Sequence, residues 1–288
     1  MADTIALIGA PSSAGAYAPG QEKAPAAFRR HGLAAAIEQA GRKVRDRGDV
    51  EAFRWRPDLE QPRAMNLDAV RRTAMAVAAR TTEALSAGEA VLVLGGDCTI
   101  ELGVVAGAAR DGASVGLVYV DGDVDLNVPE TADGALDWTG VAHLLDLPGA
   151  LPELSALGPR RPMLAPTDVV LFGGHVITPP EARTIEDMQV EHITLAEVNA
   201  DPAGAAKRAS AWGTRFDRLL VHLDIDVMAF TTFPIAENAR YGERQTGLSL
   251  EGLSEILAVL LSAPNWRALT ITEVNPDHAP NESKRFAA

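Results

Sequence analysis

Apolar residues along this chain fall into two alternating kinds of segment. Short runs dense in Val, Leu and Ile occur at Thr4–Ile8, Ala90–Leu94, Ser114–Val120, Asp168–Phe172, Arg218–Leu223 and Ala268–Glu273. Each is apolar nearly throughout, as strands covered on both faces of a parallel sheet are; a half-exposed antiparallel strand would alternate. Longer, Ala-rich amphipathic stretches separate them, at Pro25–Gln39, Asn66–Ser86, Thr99–Arg110, Pro179–Glu186, Pro202–Trp212 and Leu250–Leu261. The alternation predicts repeated βαβ units, hence an α/β fold of three αβα layers with a mainly parallel central sheet and helices on both faces. No linker divides the chain, so residues 1–288 read as one domain. Irregular stretches remain at Gly9–Gly20, Asp125–Gly140 and Ala229–Gly247. In open parallel sheets the ligand crevice lies outside the carboxyl ends of the strands, and the last two stretches follow strands there.

Charge narrows the partners. With 26 Lys and Arg against 39 Asp and Glu, the net charge of −13 argues against a nucleic-acid surface, which needs clustered cations. A 47% share of hydrophobic residues is enough for a full core. Cys98 is the single cysteine, so no internal disulfide forms and a reducing compartment is favoured. The start, Met1 to Ile5, has no basic flank or long apolar run, and no segment approaches the roughly 18 apolar residues of a membrane span. The expectation is a soluble cytoplasmic protein with a small-molecule partner and neither nucleic acid nor membrane.

Three of the strand ends carry carboxylates. Gly95-Gly96-Asp97-Cys98 closes one, Asp121, Asp123 and Asp125 close the next, and Asp224 and Asp226 close a third. On an extended segment, residues at i, i+2 and i+4 project from one face. Five converging carboxylates repel one another unless cations intervene, and a cluster of divalent metal ions removes that difficulty. Each piece alone has a plainer reading, as a solvated turn, a helix cap or a calcium loop. The calcium loop fails because Asp121 to Gly134 lacks the Gly and distal Glu at the required spacing. Cys98 is either a small buried hydrophobe or a sixth ligand.

In this order the motifs resemble the ureohydrolases: arginase, agmatinase, formiminoglutamase and relatives. Their pattern runs Gly-Gly-Asp-His-Ser, Asp-x-His-x-Asp, then Ser-x-Asp-x-Asp. Ile8-Gly-Ala-Pro-Ser-Ser13, Gly20, Lys23 to Arg29 and Gly32-Leu33 resemble the family's first loop and helix. Asp125-Leu-Asn-Val-Pro129 resembles the arginase segment at the amino-acid end of the substrate, and Glu273-Val-Asn-Pro276 the closing strand. The resemblance implies two Mn²⁺ ions sharing a hydroxide that attacks a guanidinium carbon and releases urea or a related fragment. By position the metal ligands would be Cys98, Asp121, Asp123, Asp125, Asp224 and Asp226, with Asp121 and Asp224 bridging. Glu273 would face the guanidinium and Asn127 the substrate carboxylate.

The departures matter as much. Cys98 and Asp123 stand where the family has histidine, so the ligand set, fully ionised, carries −6 against +4 instead of −4 against +4. Excess negative charge weakens the Lewis acidity of the metals. Three outcomes stay open: two ions acting on a substrate easier to attack than arginine, one ion, or a relative that binds without catalysis. The thiolate leaves Zn²⁺ or Fe²⁺ open beside Mn²⁺. Cys at position 98 and the segment Asp125–Asp133 resemble the Nω-hydroxy-L-arginine hydrolase branch, whose hydroxyguanidine is less basic than a guanidine. The family's acid/base histidine aligns with Thr139 when Gly140 is the anchor, which leaves no proton shuttle, or with His143 across a gap. Thr178 replaces an acidic contact to the substrate amino group, while Glu181 matches a second. Family members range from single chains to hexamers, so a monomer or a homo-oligomer fits.

Overall fold

Eight parallel strands hydrogen-bond in the order β2-β1-β3-β8-β7-β4-β5-β6. In this computed structural model, which describes residues 2–231, 233–236 and 246–278, the strands are β1 (Thr4–Gly9), β2 (Lys43–Asp49), β3 (Ala90–Leu94), β4 (Val115–Val120), β5 (Val169–Phe172), β6 (Glu191–Ile193), β7 (Arg218–Asp224) and β8 (Trp266–Thr272). The helices are α1 (Ala24–Arg30), α2 (Leu33–Gln39), α3 (Leu67–Ser86), α4 (Ile100–Ala108), α5 (Gly140–Leu144), α6 (Pro152–Ser155), α7 (Pro179–Met188), α8 (Leu195–Ala200), α9 (Pro202–Gly213) and α10 (Leu250–Leu260). None of these is long and apolar enough to cross a membrane.

Strand side chains alternate between two hydrophobic layers, as a period of two requires. Ile8, Val93, Leu117 and Tyr119 join one layer with Val70, Val77 and Ile100 of α3 and α4. Leu7, Leu92, Leu94, Val118 and Val120 join the other with Ala24 of α1, Ala206 of α9 and Ile256 of α10. The predicted three-layer α/β arrangement is therefore the observed one. Helices α3 and α4 pack backbone to backbone: a Cβ on Gly103 would sit 2.3 Å from the Ala74 carbonyl oxygen.

All six predicted strands form, β3 with the expected bounds and the others with ends shifted by one or two residues. Two strands have no apolar signature, and both are sheet edges. β2 reads Lys-Val-Arg-Asp-Arg-Gly-Asp and is largely solvent-exposed, and β6 has three residues. The helix expected over Pro25–Gln39 is two helices, because Gly32 takes a left-handed conformation (φ +82°) between α1 and α2. Of the irregular stretch Ala229–Gly247, residues 232 and 237–245 lie outside the described residues.

Candidate metal and active site

The four central strands, β3, β8, β7 and β4, end level with one another. Leu94 pairs with Ile271, Ile271 with Leu223, and Leu223 with Val120, giving one row across the sheet. Just beyond that row stand Cys98, Glu273, Asp224 and Asp121, at the carboxyl edge where a parallel sheet places its ligand crevice. One cavity there is lined by Tyr17, Cys98, Asp121, Asp123, Asp125, Asp137, Trp138, Asp224, Asp226 and Glu273. All six residues that the family pattern marks as ligands, and Glu273, thus share one cavity. Among the described residues, no Lys or Arg lines it.

Turns, and not an extended segment, bring the acids together. Asp121 Oδ1 accepts the Asp123 amide at 2.6 Å, and Asp224 Oδ1 accepts the Asp226 amide at 2.7 Å. Gly122 donates to Asp226 Oδ1 at 3.2 Å, which ties the two turns together. Asp125 adopts a left-handed backbone, φ 49°, so the expectation of one extended face over Asp121–Asp125 is corrected: the chain bends and its carboxylates still converge. The Tyr119 hydroxyl donates to Asp125 Oδ2 at 2.5 Å.

Cys98 is fixed from several sides. Its amide donates to Asp137 Oδ1 at 2.7 Å, its Sγ donates to Asp224 Oδ2 at 3.0 Å, and Thr272 Oγ1 lies 3.1 Å from the sulfur. The approach depends on Gly96, where a Cβ would meet the Ser12 carbonyl oxygen at 1.6 Å. Asp97 holds backbone amides, accepting that of Thr99 at 3.2 Å and that of Gly15 at 2.9 Å. Glu273 has a left-handed backbone, φ 60°, and its Oε2 accepts from Gln21 Nε2 at 2.9 Å.

Burial and crowding disfavour the charged forms here. Burial first, and Asp224 and Asp226 next, push the Asp121 carboxyl well above its usual range. Burial likewise raises Asp125, Asp137, Asp224, Glu273 and the Cys98 thiol, and lifts Asp97 to about 6. Asp121 Oδ2 and Glu273 Oε1 are buried and have no hydrogen-bond partner among the described residues. Potential ligand atoms fall within 4.8 Å of one another in three sets: Asp121, Asp224 and Asp226; Cys98, Asp137 and Glu273; Cys98, Asp121 and His222. A buried, oxygen-rich set that holds acceptors without a partner among the described residues fits divalent cations.

The remaining candidates lie outside the cavity. Glu181 is buried and accepts from the Leu126 amide (3.2 Å), Asn127 Nδ2 (2.8 Å), and the Thr178 amide (2.9 Å) and hydroxyl (2.8 Å). Thr178 and Glu181 form the capping box of α7, and Glu181 also fastens the Leu126–Asn127 segment to that helix. Thr139 is buried, with its hydroxyl on the Leu136 carbonyl at 2.5 Å. His143 is fully buried inside α5, its Nδ1 2.7 Å from the Thr139 carbonyl oxygen, and it is not among the residues that line the cavity. Sequence reasoning missed Tyr17, Asp137 and Trp138. The available signal was Asp137 itself, an acid amid Ala135, Leu136 and Trp138 beside the ambiguous Thr139.

Comparison with known proteins agrees along the full length. The family model described as "Arginase family" matches residues 3–288. Arginase-1 of Rattus norvegicus is 30% identical over 280 residues, 94% of this chain and 84% of its own. Arginase-2, mitochondrial, of Homo sapiens is 28% identical over 293 residues, 98% of this chain and 80% of its own. Among solved structures, arginase from Bacillus caldovelox superimposes with a TM-score of 0.86 at 25% identity, covering 100% of this chain and 95% of that one. The arginase family consists of metal-dependent hydrolases of amidine C–N bonds. With the family model matching residues 3–288 and the fold superimposing over the whole chain, the chain belongs to the arginase family.

Proposed function

We propose that this chain is an arginase-like hydrolase whose substrate is a hydroxyguanidino compound of the Nω-hydroxy-L-arginine type, with hydroxyurea or urea released. The observation that carries the reading is the gathering of Cys98, Asp121, Asp123, Asp125, Asp224, Asp226 and Glu273 around one cavity. Cys98 and the five aspartates would hold the cations, two Mn²⁺ in the family's manner. A bound pair of divalent ions lowers the pKa of water and polarises the guanidine carbon. Around that chemistry the chain's own groups orient the substrate. Glu273 Oε1, buried and without a hydrogen-bond partner among the described residues, is an acceptor for a guanidine N–H. Tyr17 and Trp138, with ring centroids 6.0 Å apart at the cavity, supply aromatic faces suited to a planar cation.

The charge surplus supports the hydroxyguanidine. Six anionic donors leave the ions weaker Lewis acids than four aspartates and two histidines would, and a less basic substrate needs less activation. The enzyme is proposed as cytoplasmic, as a monomer or homo-oligomer, with no nucleic-acid or membrane partner. The deciding experiment loads purified protein with Mn²⁺ and measures urea and hydroxyurea from arginine, Nω-hydroxyarginine, agmatine and guanidinobutyrate. Turnover highest on hydroxyarginine is expected, and no product from any of the four would sink the reading. The same surplus favours, as second reading, a chain with one cation or a non-catalytic binder; its mark is substoichiometric metal without turnover.

A further inference from the structure

His222 lies in β7, two residues before Asp224, where the ureohydrolase pattern has serine. It is fully buried. Its ring stacks on that of Tyr119, with centroids 4.1 Å apart and planes 5° from parallel. Nδ1 is 3.4 Å from Glu101 Oε2, and Nε2 is 3.4 Å from Thr272 Oγ1, the atom 3.1 Å from Cys98 Sγ. One ring nitrogen of His222, Cys98 Sγ and an Asp121 carboxylate oxygen lie within 4.8 Å of one another.

We propose that His222 is a metal ligand, completing with Cys98 and Asp121 a nitrogen, sulfur and oxygen set that takes a Zn²⁺-type ion. The proposal rests on the cavity being a metal site, and not on which substrate is cleaved. Three observations carry it. The imidazole that position 98 lacks stands on β7, across β8 from the strand that leads to Cys98, with a ring nitrogen within 4.8 Å of the sulfur that replaced it. Asp121 Oδ2, 1% exposed as a residue, has no partner among the described residues. Glu101 backs the ring at Nδ1, the arrangement in which a carboxylate fixes the tautomer of a metal-bound histidine and leaves Nε2 as the donor. Thiolate and imidazole are softer than the oxygens of the neighbouring Asp121, Asp224 and Asp226 set, and three protein donors with a fourth position open are the ligation of catalytic zinc.

The test uses spectroscopy and affinity, with no substrate. Metal-free protein titrated with Co²⁺ is expected to show intense visible bands of a tetrahedral ion and a thiolate-to-cobalt band in the near ultraviolet. Cys98→Ser removes the ultraviolet band. His222→Gln shifts the visible bands and weakens Co²⁺ and Zn²⁺ binding by about a hundredfold. Wild-type protein with ¹⁵N-histidine and ¹¹³Cd²⁺ provides a measurement that does not depend on the variant folding: one histidine nitrogen should be split by cadmium. Wild-type affinity and spectrum in His222→Gln, or no split histidine nitrogen, would overturn the proposal and make His222–Glu101 a structural pair. Turnover of hydroxyarginine beside an unsplit histidine would remove this inference alone, and a split histidine without turnover would remove only the hydrolase reading.

Discussion

Asp121 and Asp224 end the adjacent parallel strands β4 and β7 and make the same turn, each Oδ1 accepting the amide two residues on, at 2.6 and 2.7 Å. One oxygen of each carboxylate therefore shapes the backbone, and the other is turned to the cavity: among the described residues Asp121 Oδ2 has no hydrogen-bond partner, and Asp224 Oδ2 accepts the Cys98 thiol. Asp121→Asn and Asp224→Asn keep the turn acceptor and remove the charge. Each should lose about a hundredfold or more in divalent-cation affinity while melting no lower than wild-type metal-free protein. Alanine also deletes the turn hydrogen bond and should cost about 1 kcal/mol in stability. Metal content by mass spectrometry beside a melting curve separates the two effects.

Charge relief at position 123 gives a second outcome. Asp123→His replaces an anion by a neutral donor and should tighten Mn²⁺ by about tenfold in calorimetric titration. Cys98→His alone should fail to do so, since the space beside Thr272 already holds the His222 ring. The pair Cys98→His with His222→Ser exchanges the two positions and should restore the gain. Unchanged Mn²⁺ affinity in Asp123→His would speak against residue 123 as a ligand.

Most of this arrangement was legible in sequence because buried parallel strands announce themselves. β3 and β4 are apolar throughout, and their ends locate Cys98 and Asp121 without any tertiary information. The edge strand β2 was illegible for the complementary reason: it borders solvent and carries Lys43, Arg45, Asp46 and Arg47 in place of an apolar run. Asp137 and Tyr17 reach the cavity from loops, where no periodicity fixes direction. Glu181 matches the family pattern and Thr178 stands in place of its acidic contact, yet a capping box and a substrate contact have the same sequence signature; what the hydrogen bonds show is the capping box.

Burial of so many acids fixes the sign of the pH dependence. Their folded pKa values lie above the unfolded ones, Asp97 at about 6 against 3.8, so the folded chain binds more protons. Stability from such groups is complete below the unfolded pKa and is lost as pH rises through the folded pKa. Metal-free protein should therefore melt several degrees lower at about pH 8 than at about pH 5.5. Saturating Mn²⁺ should flatten or reverse that slope, because cations take the place of the protons. Parallel slopes with and without metal would show that the carboxylates are not cation ligands.

The capping box of α7 predicts a change in stability with little change in metal binding. Thr178→Ala removes a cap whose oxygen accepts the Glu181 amide, and should cost about 1 kcal/mol. Glu181→Ala releases four donors at once, among them Leu126 N and Asn127 Nδ2, and should cost about 2–3 kcal/mol. Because Asn127 follows the Asp121–Asp125 turn, Glu181→Ala should also raise KM, whereas Thr178→Ala should leave it within about twofold. Equal effects of both on KM would return Thr178 to a substrate contact.

Proton transfer supplies the sharpest contrast between two side chains. A group that moves a proton must reach the reacting atoms directly or through one water. His143 does not line the cavity: it is sealed in α5, and burial lowers its pKa. Asp137 does line it, beside Glu273 and Cys98, although its own position follows the family pattern in neither alignment. His143→Gln should therefore leave kcat within about twofold and lower stability, since Nδ1 sits on the Thr139 carbonyl. Asp137→Asn keeps an acceptor for the Cys98 amide at Oδ1 and removes the carboxyl, and should lower kcat by about a hundredfold or more. Measured with metal content held equal, a large loss in His143→Gln together with an unaffected Asp137→Asn would place the shuttle on α5 and require the helix to open during turnover.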